Sequence, residues 1–407
     1  MRSDHILKDF RTDMQHGNDK AMLMPDAASA EHGARVADYI HARIDDAGGS
    51  LSFAEFMHHA LYAPGLGYYT AGSTKFGAEG DFVTAPEVSP VFGRVLARQC
   101  AEVLANVGGG AIVEYGAGSG KLARDILREL AQHDALPERY EIVEVSADLQ
   151  DRQARLLHDD LSELVSLVSW PDRPPAEHRG VIIANEVLDA LPVERFVRRA
   201  EGIQQLRVEA DGDAFRLIEV PAPDRLSDAV LAIEDELGHR LPSGFVSEIS
   251  LGLPDWISTV ANSLEQGVAF LFDYGVTRRE YYATDRSGGW LRCHFRHRAH
   301  DDPLILAGLQ DLTAWVDFSA VAAAAIQCGL DVAGYSAQAQ FLIGGGLDRL
   351  VEDFQSLSLP AQLELSGQIK LLTLPGEMGE HFKCLALRRG DIGTPSAFSK
   401  GDRTHTL

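Results

Sequence analysis

The chain has 407 residues, 45% hydrophobic and 24% charged, the balance of a globular protein with length for one elaborated domain or two. Lys and Arg number 37 against 60 Asp and Glu, giving a net charge of −23. That speaks against nucleic acid as a partner, because no basic surplus exists to neutralise phosphates. The acidity suits a basic peptide or protein substrate, and it is also a generic solubility feature. No apolar run reaches the length of a membrane span, so no stable membrane insertion is expected. The N-terminus lacks the apolar stretch of a signal peptide, and Asp4, Asp9 and Asp13 argue against a transit peptide. Cys100, Cys293, Cys328 and Cys384 are scattered with no C-x-x-C, which excludes a disulfide framework and points to a reducing, cytoplasmic setting, the bacterial cytosol.

In chain order, residues 1–28 are polar and unpatterned and read as a disordered tail. Helical spacing places Val36, Tyr39, Ile40 and Ile44 on one side until Gly48-Gly49 stop it. Ser52 with Glu55 three residues later forms a capping box for a helix over 53–61. Residues 63–92 are loop-like, and a helix covers about 91–107. These elements make up an N-terminal region of helices and lid loop over 29–107. Buried strands are expected at Ala111–Glu114, Tyr140–Val145, Leu164–Val168, Val181–Ala184 and Val268–Phe272, the first four separated by helical segments. That alternation is the pattern of an α/β, doubly wound sheet. Its core is placed at 108–192 and 263–389, interrupted by a β-rich insertion over 193–262 where stretches such as 204–210 alternate. A second excursion covers 276–316. A helix over Phe318–Cys328 stops at Gly329, strands follow at Leu330–Tyr335 and Phe382–Leu387, and 390–407 reads as a disordered tail.

The strand at 111–114 runs into Glu114-Tyr-Gly-Ala-Gly-Ser-Gly120 and then a helix. Glycines at 116, 118 and 120 leave bare backbone at a helix N-terminus, which is where a ligand lies close. A phosphate-binding P-loop requires glycine where Tyr115 stands and Ser or Thr where Leu122 stands. The dinucleotide fingerprint requires its third glycine one residue later, where Lys121 stands. Both spacings fail. An E-x-G-x-G-x-G turn after a strand looks like the first motif of S-adenosylmethionine-dependent methyltransferases, with Glu114, Gly116, Gly118 and Gly120 as cofactor contacts.

Glu144 closes the next strand, 24 residues past Gly120, where a carboxylate can accept both hydroxyls of a ribose. The fourth strand ends in Ala184-Asn-Glu-Val-Leu-Asp189, placing Asn185, Glu186 and Asp189 at the same sheet edge. The Asn-Pro-Pro-aromatic motif of methyltransferases acting on amide or base nitrogens is absent. Two carboxylates suit a guanidinium, which they bind bidentately and relieve of its proton as a C–N bond forms. Helix capping and dipole matching is the competing explanation for these residues. In the loop before 92, Tyr68, Tyr69, Phe76 and Phe82 with Asp81 and Glu87 have the aromatic and acidic content of a lid. Cys293-His-Phe-Arg-His-Arg-Ala-His300 matches no zinc spacing, and its arginines repel a cation, so no metal is expected; His297 is a candidate lining residue.

Taken together, Gly67-Tyr-Tyr-Thr70, Gly80 through Ser89, the turn at 114–120, 184–192, Asp273-Tyr-Gly275, His297 and His300, 311–318 and 376–383 resemble the MidA family. These are COG1565-type methyltransferases, relatives of the mitochondrial complex I assembly-factor protein arginine methyltransferase. Trp290 stands where that family tends to have Thr. The resemblance implies a Rossmann-like methyltransferase sheet with an N-terminal lid and a β-rich insertion, and S-adenosyl-L-methionine as cofactor. It implies symmetric dimethylation of arginine on the large catalytic-core subunit of respiratory complex I. Glu186, Asp189 and Glu87 are carried over as catalytic candidates, and Tyr68, Tyr69, Asp81 and His297 as substrate or lid residues. A non-catalytic, cofactor-binding assembly chaperone and a small-molecule methyltransferase stay open as alternatives, as does a homodimer.

Overall fold

The computed structural model describes residues 24–71, 84–296 and 298–407. The candidates Asp81 and His297, and nearly all of the expected N-terminal tail, lie outside the described residues.

The central sheet is built from β1 (Ala111–Tyr115), β2 (Tyr140–Val143), β3 (Val168–Ser169), β4 (His178–Asn185), β5 (Leu264–Val276), β6 (Asp331–Ala337) and β7 (Phe382–Arg389). Their spatial order is β6-β7-β5-β4-β1-β2-β3. Strands β1 to β5 pair in parallel, and β7 runs antiparallel to both neighbours. A two-residue strand, Val316–Asp317, extends the end of β5. The chain builds outward from β1 through β2 to β3, then crosses back to β4. The carboxyl ends of β1 and β4 therefore splay apart, leaving the crevice where ligands bind in open α/β sheets.

The strands lack polar alternation because both faces are covered. In β4, Val181 and Ile183 face one core while Ile182 and Ala184 face the other; in β5, Phe270 and Phe272 oppose Ala269 and Leu271. One side is layered by α3 (Pro90–Val107) and α4 (Lys121–Gln132), following α1 (Ala27–Asp46) and α2 (Phe53–Tyr62) in the N-terminal unit. The capping box of α2 is present, with Ser52 N–H donating to Glu55 over 2.7 Å and Glu55 N–H to Ser52 Oγ over 3.2 Å. The opposite layer holds α6 (Leu253–Ser263) and α7 (Phe318–Gln327), whereas α5 (Ala147–Asp160), between β2 and β3 in the chain, packs Leu157 on the α3–α4 side. Helix α3 starts on Pro90 and ends at Gly108 with φ +77°. Buried Glu129 of α4 takes Arg94 at 2.7 Å and Arg98 at 3.3 Å from α3. That pairing fixes the helix that the glycine turn enters.

Three expectations are corrected. The strand placed at Leu164–Val168 is a 3-10 turn, Val165–Leu167, followed by the two residues of β3. The insertion does contain an antiparallel sheet, Glu194–Arg199, Gly202–Asp211, Ala214–Pro221 and Val246–Ile249, which also captures Ser50–Ser52 from the N-terminal region. Its last helix, α6, buries Leu253, Ile257 and Val260 against the central sheet, so the core resumes at 253 rather than 263. The segment 390–407, read as disordered, is packed. Phe398 is 3% exposed and sits edge-on to Phe341, and Arg403 N–H donates to Tyr335 O on β6 at 2.6 Å. Its Gly/Ser/Thr/Pro content hid three buried hydrophobic side chains, Ile392, Ala397 and Phe398.

Candidate active site

The glycine turn leaves β1 and enters α4 with Gly116, Gly118 and Gly120 at φ +64°, +53° and +84°. All three lie in the left-handed region, where a Cβ crowds the backbone. A Cβ on Gly116 would also come within 3.2 Å of Val187, and one on Gly120 within 3.3 Å of Gln153. The turn borders a cavity of about 290 Å3 whose walls include Glu114, Glu144, Asn185, Glu186, Tyr69 and Glu87. The candidates from four separate stretches of sequence thus meet in one place, between the ends of β1, β2 and β4. Tyr68, Gly120 and Asp189 do not line it.

Glu114 is 2% exposed and accepts a 2.6 Å hydrogen bond from the Tyr140 hydroxyl. Burial pushes its carboxyl up to about 7; the Tyr140 hydrogen bond opposes this and the charge of Glu144 adds to it. Glu144 accepts from Ser146 N–H at 3.0 Å and from Gln153 Nε2 at 3.1 Å. Gln153 also donates to Gly118 O at 3.0 Å and accepts from Trp170 Nε1 at 2.8 Å, tying the glycine turn to the end of β2. Gln153 was not singled out from sequence. One glutamine among the polar residues of α5 gives no signal that it is the fully buried one.

Glu87 takes a hydrogen bond from the Ser119 hydroxyl and an ion pair from Lys121 Nζ at 2.5 Å. It is fastened to the glycine turn, with its charge already matched by a lysine.

The end of β4 differs. Glu186 has φ +55°, a left-handed conformation unusual for a residue with a side chain. Its N–H donates to Phe272 O at 2.9 Å, which holds the backbone there. Its carboxyl is driven well above the usual range by burial first and by Asp189 second; Asn185, at 3.2 Å, works against the shift. Asp189 is 6% exposed, behind the cavity wall, and raised by burial and by Asp273 and Asp311. Asp273, fully buried, accepts Leu188 N–H and Tyr274 N–H, each at 2.9 Å, and is raised by burial and Glu186. Asp311 accepts from Tyr69 Oη and Thr313 Oγ1, each at 2.8 Å. Tyr69 stacks on Tyr62 at 5.5 Å, and Tyr62 donates to Ala190 O at 3.0 Å, so the two rings wall this end of the cavity. Tyr68 packs edge-on behind Tyr69 at 5.1 Å in the N-terminal core.

Glu186, Asp189, Asp273 and Asp311 thus gather four carboxyls. Among the described residues, no Arg or Lys forms an ion pair with any of the four. Asp273 was open to sequence reasoning, since an acid ends an apolar strand there as Glu114 and Glu144 do. Asp311 lies in an excursion without strand periodicity, and only the tertiary fold brings it in.

The sheet order, the crevice and the acid-flanked glycine turn define a cofactor-binding α/β fold of the methyltransferase class. A sequence model of S-adenosyl-L-methionine-dependent methyltransferases matches residues 95–336. A COG1565 superfamily crystal structure from Burkholderia thailandensis with S-adenosylhomocysteine bound is 37% identical, with a TM-score of 0.89 over 94% of this chain and 99% of that one. The protein arginine methyltransferase NDUFAF7 homolog, mitochondrial, of Drosophila melanogaster is 30% identical over 89% of this chain and 86% of its own. Its mouse counterpart, from Mus musculus, is 31% identical over 83% and 81%. The chain belongs to this family of S-adenosylmethionine-dependent methyltransferases, of the COG1565 type.

The residues present fit that cofactor. Asn185 Oδ1 is buried in the cavity wall without a partner among the described residues, an acceptor awaiting a donor. Val145, 72% exposed, leaves apolar surface beside Glu144 where a flat base can rest.

Proposed function

We propose that this methyltransferase acts on arginine side chains of a protein, making symmetric dimethylarginine on the large catalytic-core subunit of respiratory complex I from the cytosolic side, and so aids its assembly. The observation that carries this reading is the uncompensated carboxyl cluster around Glu186 at the wall of the cofactor cavity. Bringing a guanidinium beside a sulfonium sets two cations next to each other. Burying several carboxyls without a cation is costly unless one arrives. A guanidinium supplies it, and its planar donors match paired carboxylates.

Glu114, the 116–120 turn, Glu144 and Asn185 would hold S-adenosylmethionine, which when bound supplies a methyl group on a positively charged sulfur. Glu186 orients the guanidinium and accepts the proton released as the C–N bond forms. Its strained backbone is kept because the Phe272 carbonyl and the packed β4–β5 pair determine it. Asp189 and Asp273, held toward their neutral form by burial and by neighbouring acids, ionise more readily once the guanidinium arrives beside Glu186, and Asp311 secures the Tyr69 wall. Glu87, held by Lys121 and Ser119, closes the entry segment over the glycine turn. Positioning of the reacting atoms supplies most of the rate.

Mass spectrometry of the complex I large subunit from a deletion strain tests the substrate. Loss of its dimethylarginine is expected. Unchanged modification would leave the assembly-chaperone alternative in its place, and transfer to metabolites alone would identify a small-molecule enzyme.

A further inference from the structure

A second cavity, of about 330 Å3, opens at the same sheet edge two strands away, between Val276 at the end of β5 and Lys383 at the start of β7. Its floor is the indole pair Trp290 and Trp315, stacked at 4.4 Å and 24°. Trp290 is pinned by its Nε1 hydrogen bond to Tyr281 O at 2.8 Å and covered by the Arg286 guanidinium at 4.5 Å. Trp315 is half-buried, with Tyr274 at 6.3 Å and His381 edge-on at 5.6 Å. The lining sets Glu280, Asp285 and Glu380 against Arg286 and Lys383, and Glu380 is also paired with Arg403, so the acids are nearly balanced.

Tyr274 is the link. Its backbone N–H donates to Asp273 in the carboxyl cluster, and its ring packs on Phe382 at 3.8 Å and leans toward Trp315. The cluster and the indole pair therefore lie on either side of one aromatic residue. Adjacent strands lie about 4.8 Å apart, so β4 to β7 spans roughly 10 Å, about three residues of extended chain from an arginine held at Glu186.

We infer that the Trp290–Trp315 cavity is a subsite for the substrate polypeptide, taking an aromatic side chain near the target arginine in sequence. The inference rests on the arginine reading above. The half-buried indole of Trp315, backed by Trp290, offers aromatic surface that favours another ring over an aliphatic or charged group. The near-neutral rim offers no net field to select charge, while its polar groups can satisfy the peptide backbone.

The experiment uses the full-length protein with S-adenosylmethionine and synthetic peptides carrying a single arginine among glycine and serine. One phenylalanine is moved through each flanking position. The expected result is a preferred position with kcat/KM raised about tenfold, the size of one well-buried aromatic contact. In Trp315→Leu this preference disappears through KM with kcat little changed, and Trp315→Phe retains most of it. S-adenosylhomocysteine affinity, unchanged in both, verifies that they fold; the wild-type scan decides even if they do not. Methylation of every peptide at equal efficiency would overturn the subsite while leaving the arginine reading intact. Methyl transfer no better to the arginine peptides than to their lysine analogues would overturn both.

Discussion

The two halves of the cavity treat their carboxyls in opposite ways. At the ends of β1 and β2 each acid has neutral donors: Tyr140 for Glu114, and Gln153 with Ser146 for Glu144. Glu87 beside them has a lysine. At the ends of β4 and β5, Glu186, Asp189 and Asp273 are crowded together, each raised by burial and by another acid. The first arrangement sets acceptors for a ligand rich in hydroxyl and amino groups. The second holds its carboxyls back from ionising until a cation arrives. In the proposed reading, binding and reaction are separated along one sheet edge, with Asn185 and Glu186 as the boundary.

The largest test of this contrast is Glu186→Gln. It keeps size and removes the charge, so kcat should fall about 100-fold or more while S-adenosylhomocysteine binds as before. A fall in cofactor affinity instead would erase the division between the halves. Gly118→Val strikes the other half. A branched residue at φ +53° is strained and stands at the cavity wall, so calorimetry should show cofactor affinity reduced at least about tenfold.

Glu114 gives a pH signature confined to the cofactor half. With its carboxyl at about 7, pairing with the cationic amino group of the ligand requires loss of a proton. Affinity should therefore rise with pH toward 7, by up to about tenfold per unit, and level off above it. Tyr140→Phe removes the hydrogen bond that lowers this value, so the break should move to higher pH. The same group affects the ligand-free fold. Its folded pKa of about 7 exceeds the ordinary 4.5 of a free glutamate, so its cost is absent below 4.5 and complete above 7. Thermal unfolding of the free protein should show stability declining across that window, with the decline reduced in Glu114→Gln. The smallest effect expected is for Gln153→Ala, which frees Glu144 and the Gly118 carbonyl: cofactor binding weaker by about 1–2 kcal/mol, with kcat nearly unchanged.

The sequence by itself determined the cofactor half. A period-free apolar run, three alternate glycines and an acid at the end of the next strand are local patterns. The chain cannot bury those strands or make that turn in many other ways. Glu186 was legible by position but not in conformation, because its positive φ comes from pairing with Phe272, 86 residues later in sequence. The tertiary structure alone decided the rest: that Asp273 and Asp311 join Glu186 and Asp189, that Gln153 clamps the turn, and that 390–407 packs through Phe398 against β6 and its neighbours. Each depends on contacts between distant segments. Burial of a carboxyl or a lone aromatic is a property of what surrounds it, which a single stretch of sequence does not carry.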